Sequence, residues 1–182
     1  YSVDSLKAAN FAVWKKYIDE KALSGSASAV LEMVPVSLLK LEGAKGLRAL
    51  REKQQLTFSL PPNYAPFSSL CKVLVSTVDV HVYSSGRPVR DYSGTLVHHG
   101  RSLVFDATGT PHVFSHVPIR TPFRRDKGRF TIHANANLGD YVGVSPYGPW
   151  TLELDTPSAE SYSEVVLEMS GFGRSRVRGR GA

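Results

Sequence analysis

The spacing of apolar residues changes once along this chain. Up to residues 50–60 and the two prolines that follow them, apolar positions recur every three or four residues, as on a helix with one buried face. Beyond that point they recur at every second position, as on strands with one buried face. The pattern predicts a helical arm over residues 1–54 and one β domain over residues 55–170.

The helical arm has two predicted parts. The first covers residues 2–23, and a run of small residues at 24–28 ends it. The second covers residues 35–53 and starts with a proline, which is tolerated in the first turn of a helix. Gly43 and Gly46 weaken it, and apolar positions then resume to its end. One helix therefore leads directly into the β domain.

The β domain is predicted to contain about eight short strands separated by turn residues. Residues 150–154 and 165–169 show the clearest alternation of apolar and polar side chains. Strands at such short, regular spacings, without intervening helices, indicate an antiparallel β-sandwich or jelly roll and argue against a parallel α/β sheet. The other predicted strands lie at residues 56–60, 74–82, 96–97, 103–105, 113–117 and 129–133.

The net charge changes this picture little. The formal charge is +6, but four arginines lie in the Gly/Arg-rich segment 171–182, and without them the charge is +2. Such a segment predicts a disordered tail rather than a basic face for nucleic acid. No run of about 18 apolar residues is present to span a membrane, and no signal peptide is visible because no charged segment precedes an apolar run. Since the chain opens with Tyr1, we expect it to be a fragment.

Catalytic and metal motifs are weak. His112 and His116 have a spacing that suits a metal on a helix, but on a strand they would lie about 13 Å apart. Cys71 sits at the entry of a strand among apolar neighbours, where a buried, inert thiol is expected. A site assembled only in three dimensions with His81 and His133 stays open. We predict no enzyme, no catalytic residue, no metal and no cofactor.

Five short segments together resemble a known family. Leu-x-x-Leu-Arg-Glu at 47–52 and Phe-x-Leu-Pro at 58–61 are similar to the place where helices give way to the C-terminal β domain in the A component of bacterial Tc insecticidal toxin complexes. Residues 71–76 correspond to the next long strand of that family, and residues 148–154 and 162–169 to its last strand pair. The resemblance covers roughly residues 38–171.

The resemblance implies a non-catalytic domain of a pentameric pore-forming component. Its partners would be the B subunit and sister subunits, and it would be secreted as part of a larger assembly. Candidate partner-binding residues are four tyrosines at predicted strand ends or turns: Tyr83, Tyr92, Tyr141 and Tyr147.

A carbohydrate-binding module appended to a hydrolase is the alternative interpretation. The same tyrosines could form an aromatic platform for a sugar. Trp150 would extend the platform, but it alternates with core leucines and is therefore expected to be buried. Nucleic-acid binding through the arginine tail is a third class, which predicts strong salt dependence.

Overall fold

Strands dominate the described part of the chain, which is residues 28–132, 143–155 and 162–175 of a computed structural model. Within these ranges there are eleven strands and two helices. The helices are α1 (Leu38–Lys53) and α2 (Ala65–Ser68). The strands are β1 (Ser28–Ser37), β2 (Gln55–Leu60), β3 (Leu70–Ser84), β4 (Arg87–Pro88), β5 (Tyr92–His98), β6 (Arg101–Phe105), β7 (Pro111–Ser115), β8 (Ile119–Asp126), β9 (Arg129–Ile132), β10 (Gly148–Leu154) and β11 (Tyr162–Ser175).

Two antiparallel sheets form a β-sandwich. One sheet has the strand order β1-β11-β3-β4 and the other β2-β10-β5-β8-β9, while β6 and β7 form a separate hairpin. The prediction of a mainly β, antiparallel sandwich is confirmed. The eight predicted strands overlap β2, β3, β5, β6, β7, β9, β10 and β11.

The core lies between the two large sheets. Val80 and Leu167 come from the four-stranded sheet, and Leu96, Phe123 and Leu152 come from the five-stranded sheet. Each of these side chains belongs to the alternating buried positions of its strand. Complete burial of one such side chain stabilises the fold by about 1.5–3 kcal/mol.

The first residues of the described chain are a strand rather than part of a helix. Residues 28–37 form β1, which pairs antiparallel with β11, and Pro35 lies opposite Glu168. The prediction that a helix starts at Pro35 is therefore wrong. Val30, Val34 and Val36 are β-branched, and such side chains favour strands. The predicted first helix, residues 2–23, lies outside the described residues.

Helix α1 begins at Leu38 and is capped from two sides. The hydroxyl of Ser37 accepts a hydrogen bond from the amide of Lys40 (3.1 Å). Glu164, on β11, accepts from the Ser37 hydroxyl (2.7 Å) and from the amide of Leu39 (3.1 Å). At Gly43 the backbone leaves helical geometry (φ 70°, ψ −177°), so the weak point predicted there is a kink.

The last strand extends beyond the predicted end of the β domain. Strand β11 continues to Ser175, so residues 171–175 belong to the four-stranded sheet rather than to a disordered tail. Arg174 lies opposite Cys71 in the register, and both side chains are buried. The buried thiol was predicted correctly. Residues 176–182 lie outside the described residues.

Neither helix of the described ranges has the length and apolar content that crossing a lipid bilayer requires.

Candidate functional site

Two of the four predicted partner-binding tyrosines are buried. Tyr92 is 8% exposed and Tyr147 is 2% exposed, so both belong to the core. Tyr83 is half-buried near the end of β3, and Tyr141 lies outside the described residues. The expectation that Tyr92 and Tyr147 present their rings to a partner is therefore wrong.

Trp150 is buried, as its alternation with core leucines predicts. Its side chain is 3% exposed, and its indole Nε1 donates to the carbonyl of Pro146 (2.9 Å). Its ring meets that of His98 edge-on, with 4.7 Å between the ring centroids. Tyr92, Tyr147 and Trp150 are therefore buried and do not contribute to an exposed aromatic platform for a sugar.

The histidines fall into separate environments. His112 pairs with Asp106 at the turn of the β6–β7 hairpin (3.0 Å), whereas His116 stacks on His98 with 5.2 Å between the ring centroids. His112 and His116 therefore share no site, as their spacing on a strand predicts. Burial, with the neighbouring His116 as the second cause, lowers the pKa of His98 from 6.5 to about 3. Burial also lowers the pKa of His116.

The outer face of α1 carries one of two concentrations of positive charge in the described residues; the other is the β8–β9 segment, residues 119–132, with five basic side chains and one acidic side chain. The helix has five basic and two acidic side chains, a net charge of +3. Lys40, Lys45, Arg48 and Lys53 are exposed, and none of them forms an ion pair with another described residue. Because the arginines at 174, 176, 178 and 180 account for a further +4 of the total +6, the rest of the chain has a charge of −1.

The opposite face of α1 fixes the helix to the sandwich. Leu38, Leu47 and Leu50 are buried, and the helix packs against β11 and β2. Its C-terminus is closed by Gln54, which adopts a left-handed conformation (φ 59°) and donates its amide to the carbonyl of Leu50. The basic side chains consequently project from a helix that is anchored along its length.

A second polar cluster lies on the outer face of the four-stranded sheet. Asp79 and His81 are alternate residues of β3, and Glu168 on β11 lies opposite Asp79. Nε2 of His81 is 3.4 Å from Oδ2 of Asp79 and 3.2 Å from Oε2 of Glu168. The alternation of β3 predicts that Asp79 and His81 share a face. The sequence contains no signal for the register that adds Glu168.

Two comparisons with known proteins return no relative. No model of a known protein family matches the chain, and a search of curated proteins finds no significant match. The functional argument therefore depends on the geometry of these surfaces.

Proposed function

We propose that this chain is a non-catalytic docking domain of a larger, toxin-like assembly and that the outer face of α1 contacts an acidic surface of its protein partner. The observation that supports the proposal is the concentration of charge. Helix α1 has a net charge of +3, and four of its five basic side chains are exposed without an ion pair among the described residues, whereas Arg120 and Arg125 of the similarly basic β8 each pair with a carboxylate. A net positive patch on a packed helix steers a partner of opposite charge and fixes its orientation.

The resemblance to the Tc toxin A component suggests which partner to test. In that family the corresponding β domain docks the B subunit, and α1 contains the Leu-x-x-Leu-Arg-Glu motif at residues 47–52. Leu47 and Leu50 of the motif are buried, while Arg51 and Glu52 lie towards the outer side of the helix. The motif thus contains both the apolar anchor and part of the charged face.

A protein partner suits this face better than a sugar or a nucleic acid. Three of the aromatic side chains that a sugar platform would use, Tyr92, Tyr147 and Trp150, are in the core. A surface that follows a phosphate backbone is dominated by cations, whereas α1 places Glu42 and Glu52 among its basic residues. In protein interfaces, positive groups of one partner lie opposite negative groups of the other. A wrong partner places like charges opposite each other and is therefore rejected.

The test is binding of the full chain to a purified Tc B subunit in its complex with the C component. Binding is measured by biolayer interferometry at several salt concentrations. We expect the double variant Lys45→Glu/Arg48→Glu to weaken binding at least about tenfold, which corresponds to about 1.4 kcal/mol. Much of the loss should appear in the association rate and should shrink as salt rises.

The matched control reverses two exposed arginines elsewhere, Arg124→Glu/Arg129→Glu. These residues lie on β8 and β9, at the edge of the five-stranded sheet opposite to the α1-facing strand β2. The control should bind as the wild type does. Absence of binding to the B subunit, equal losses in both double variants, or tighter binding of duplex DNA through Lys45 and Arg48 would each overturn the proposal.

A further inference from the structure

We infer that Asp79, His81 and Glu168 form a binding site for a divalent metal ion, with zinc as the best fit. The three side chains point outward from neighbouring strands of one sheet, and their donor atoms lie within 4.8 Å of one another. One imidazole nitrogen and two carboxylate oxygens are ligands that zinc accepts readily. The site is separate from the basic face of α1 and does not depend on the docking proposal.

Two of the three distances between donor atoms match a tetrahedral ion. Zinc binds nitrogen and oxygen ligands at about 2.0–2.2 Å, so two ligands of one tetrahedral ion lie about 3.3–3.5 Å apart. Nε2 of His81 is 3.4 Å from the Asp79 oxygen and 3.2 Å from the Glu168 oxygen. The oxygens of Asp79 and Glu168 lie within 4.8 Å of each other, so any remaining adjustment would be an approach of these two carboxylates.

Two of the three donor atoms lie at ion-pair distance from each other but make no hydrogen bond. Nε2 of His81 and Oε2 of Glu168 are inaccessible to solvent, and neither forms a hydrogen bond of acceptable geometry with any described residue. They are nevertheless 3.2 Å apart. Buried polar atoms normally find a partner. An ion placed between the two atoms and Asp79 would bind all three donors at once.

The second oxygen of Asp79 is held by an arginine. Nη2 of Arg125 donates to Oδ1 of Asp79, which leaves Oδ2 directed towards His81. Arg125 is itself fixed by its hydrogen bond to the hydroxyl of Tyr92 (2.7 Å) and by the ring of Phe130, 4.9 Å from the guanidinium carbon. Partners of this kind orient the ligands in metal sites.

The fourth position of the ion would face a groove. Asp79 and Glu168 line a depression of about 230 Å³. Three protein ligands with one open position allow a water molecule or an external donor to complete the coordination. The groove is also lined by Met33, Thr77, Val78, Phe130, Ile132 and Ser170.

The test uses the full chain after treatment with a chelator. Zn²⁺ is titrated by isothermal calorimetry, and Co²⁺ is titrated by visible absorption, because the intensity of its bands reports the coordination number. We expect one equivalent of either ion per chain and the strong bands of four-coordinate Co²⁺. His81→Gln and Glu168→Gln should each weaken Zn²⁺ binding at least about tenfold.

His112→Gln is the matched control, because it removes a different histidine that is paired with an aspartate, Asp106. It should leave the affinity for Zn²⁺ unchanged. Circular dichroism of each variant establishes that it is folded, and Glu168→Asp, which keeps a carboxylate, should retain part of the affinity. Lack of stoichiometric Zn²⁺ binding by the wild type would overturn the proposal and leave His81 as a bridge between two carboxylates. Undiminished binding by folded His81→Gln would also overturn it.

Discussion

The hydroxyl of Tyr92 donates a hydrogen bond to the carbonyl of Val80 and accepts one from the amide of Val82 (3.3 Å). The Tyr92 side chain, from the five-stranded sheet, thus makes the hydrogen bonds of a neighbouring strand along the part of β3 that β4 does not cover. Nη2 of Arg125 adds a second hydrogen bond to the carbonyl of Val80 (3.2 Å). Tyr92, selected from the sequence as a partner-binding residue, instead joins the two sheets.

Tyr92→Phe should therefore destabilise the domain. The substitution keeps the ring but leaves the amide of Val82 without its partner, and an unsatisfied buried polar group costs about 1–3 kcal/mol. The free energy of unfolding, measured by urea denaturation, should fall by that amount. Tyr83→Phe, at a half-buried position, should change it by less than about 0.5 kcal/mol. Equal effects of the two substitutions would contradict the role assigned to the Tyr92 hydroxyl.

The alternation of apolar and polar residues was sufficient to predict most strands, but not those that break the pattern. Helix α1 ends at Lys53 and β2 begins at Gln55, where the period changes in the sequence. Strand β8 was not predicted because Pro122 and three arginines resemble a loop. Proline is rare inside a sheet. The position of β8 between β5 and β9 is determined by tertiary pairing.

The candidate sites, too, could be predicted from the sequence only in part. The charges of α1 can be counted in the sequence, but which of them are exposed depends on how Leu47 and Leu50 dock. The cluster of Asp79, His81 and Glu168 depends on the register between β3 and β11, two strands that are distant in sequence. Register follows from the packing of whole faces, so local patterns do not contain it.

The double cap of α1 gives a second prediction. Ser37→Ala removes the acceptor for the amide of Lys40 and the donor to Glu164. Loss of an N-cap side chain costs about 0.5–2 kcal/mol, and urea denaturation should show a loss in this range. Ser115→Ala, at an exposed position of β7, is the control and should be nearly neutral. A neutral Ser37→Ala would mean that Glu164 alone caps the helix.

Gly94 permits close contact between β5 and β10. A Cβ atom at this position would lie 2.1 Å from the carbonyl oxygen of Glu153 and 2.8 Å from the ring of Phe123. Gly94→Ala should therefore lower the free energy of unfolding by about 1–3 kcal/mol or more. Gly109→Ala meets no atom within 4 Å and carries only the strain of its positive φ, about 1–2 kcal/mol. The prediction fails if Gly109→Ala is the more damaging substitution in thermal or urea unfolding.

His98 makes the stability of the domain depend on pH. Its Nδ1 accepts from the amide of Gly100 (3.1 Å) and its Nε2 lies 3.1 Å from the carbonyl of Ser145, so the folded state holds the neutral ring. Folding lowers its pKa from 6.5 to about 3. Below pH 6.5 the unfolded chain therefore binds the extra proton, and stability falls as pH falls. We expect a loss of about 1.4 kcal/mol per pH unit between about pH 6 and 4, measured by urea denaturation. His98→Gln should flatten this slope, whereas His99→Gln, at an exposed position, should not; equal slopes would contradict the assignment.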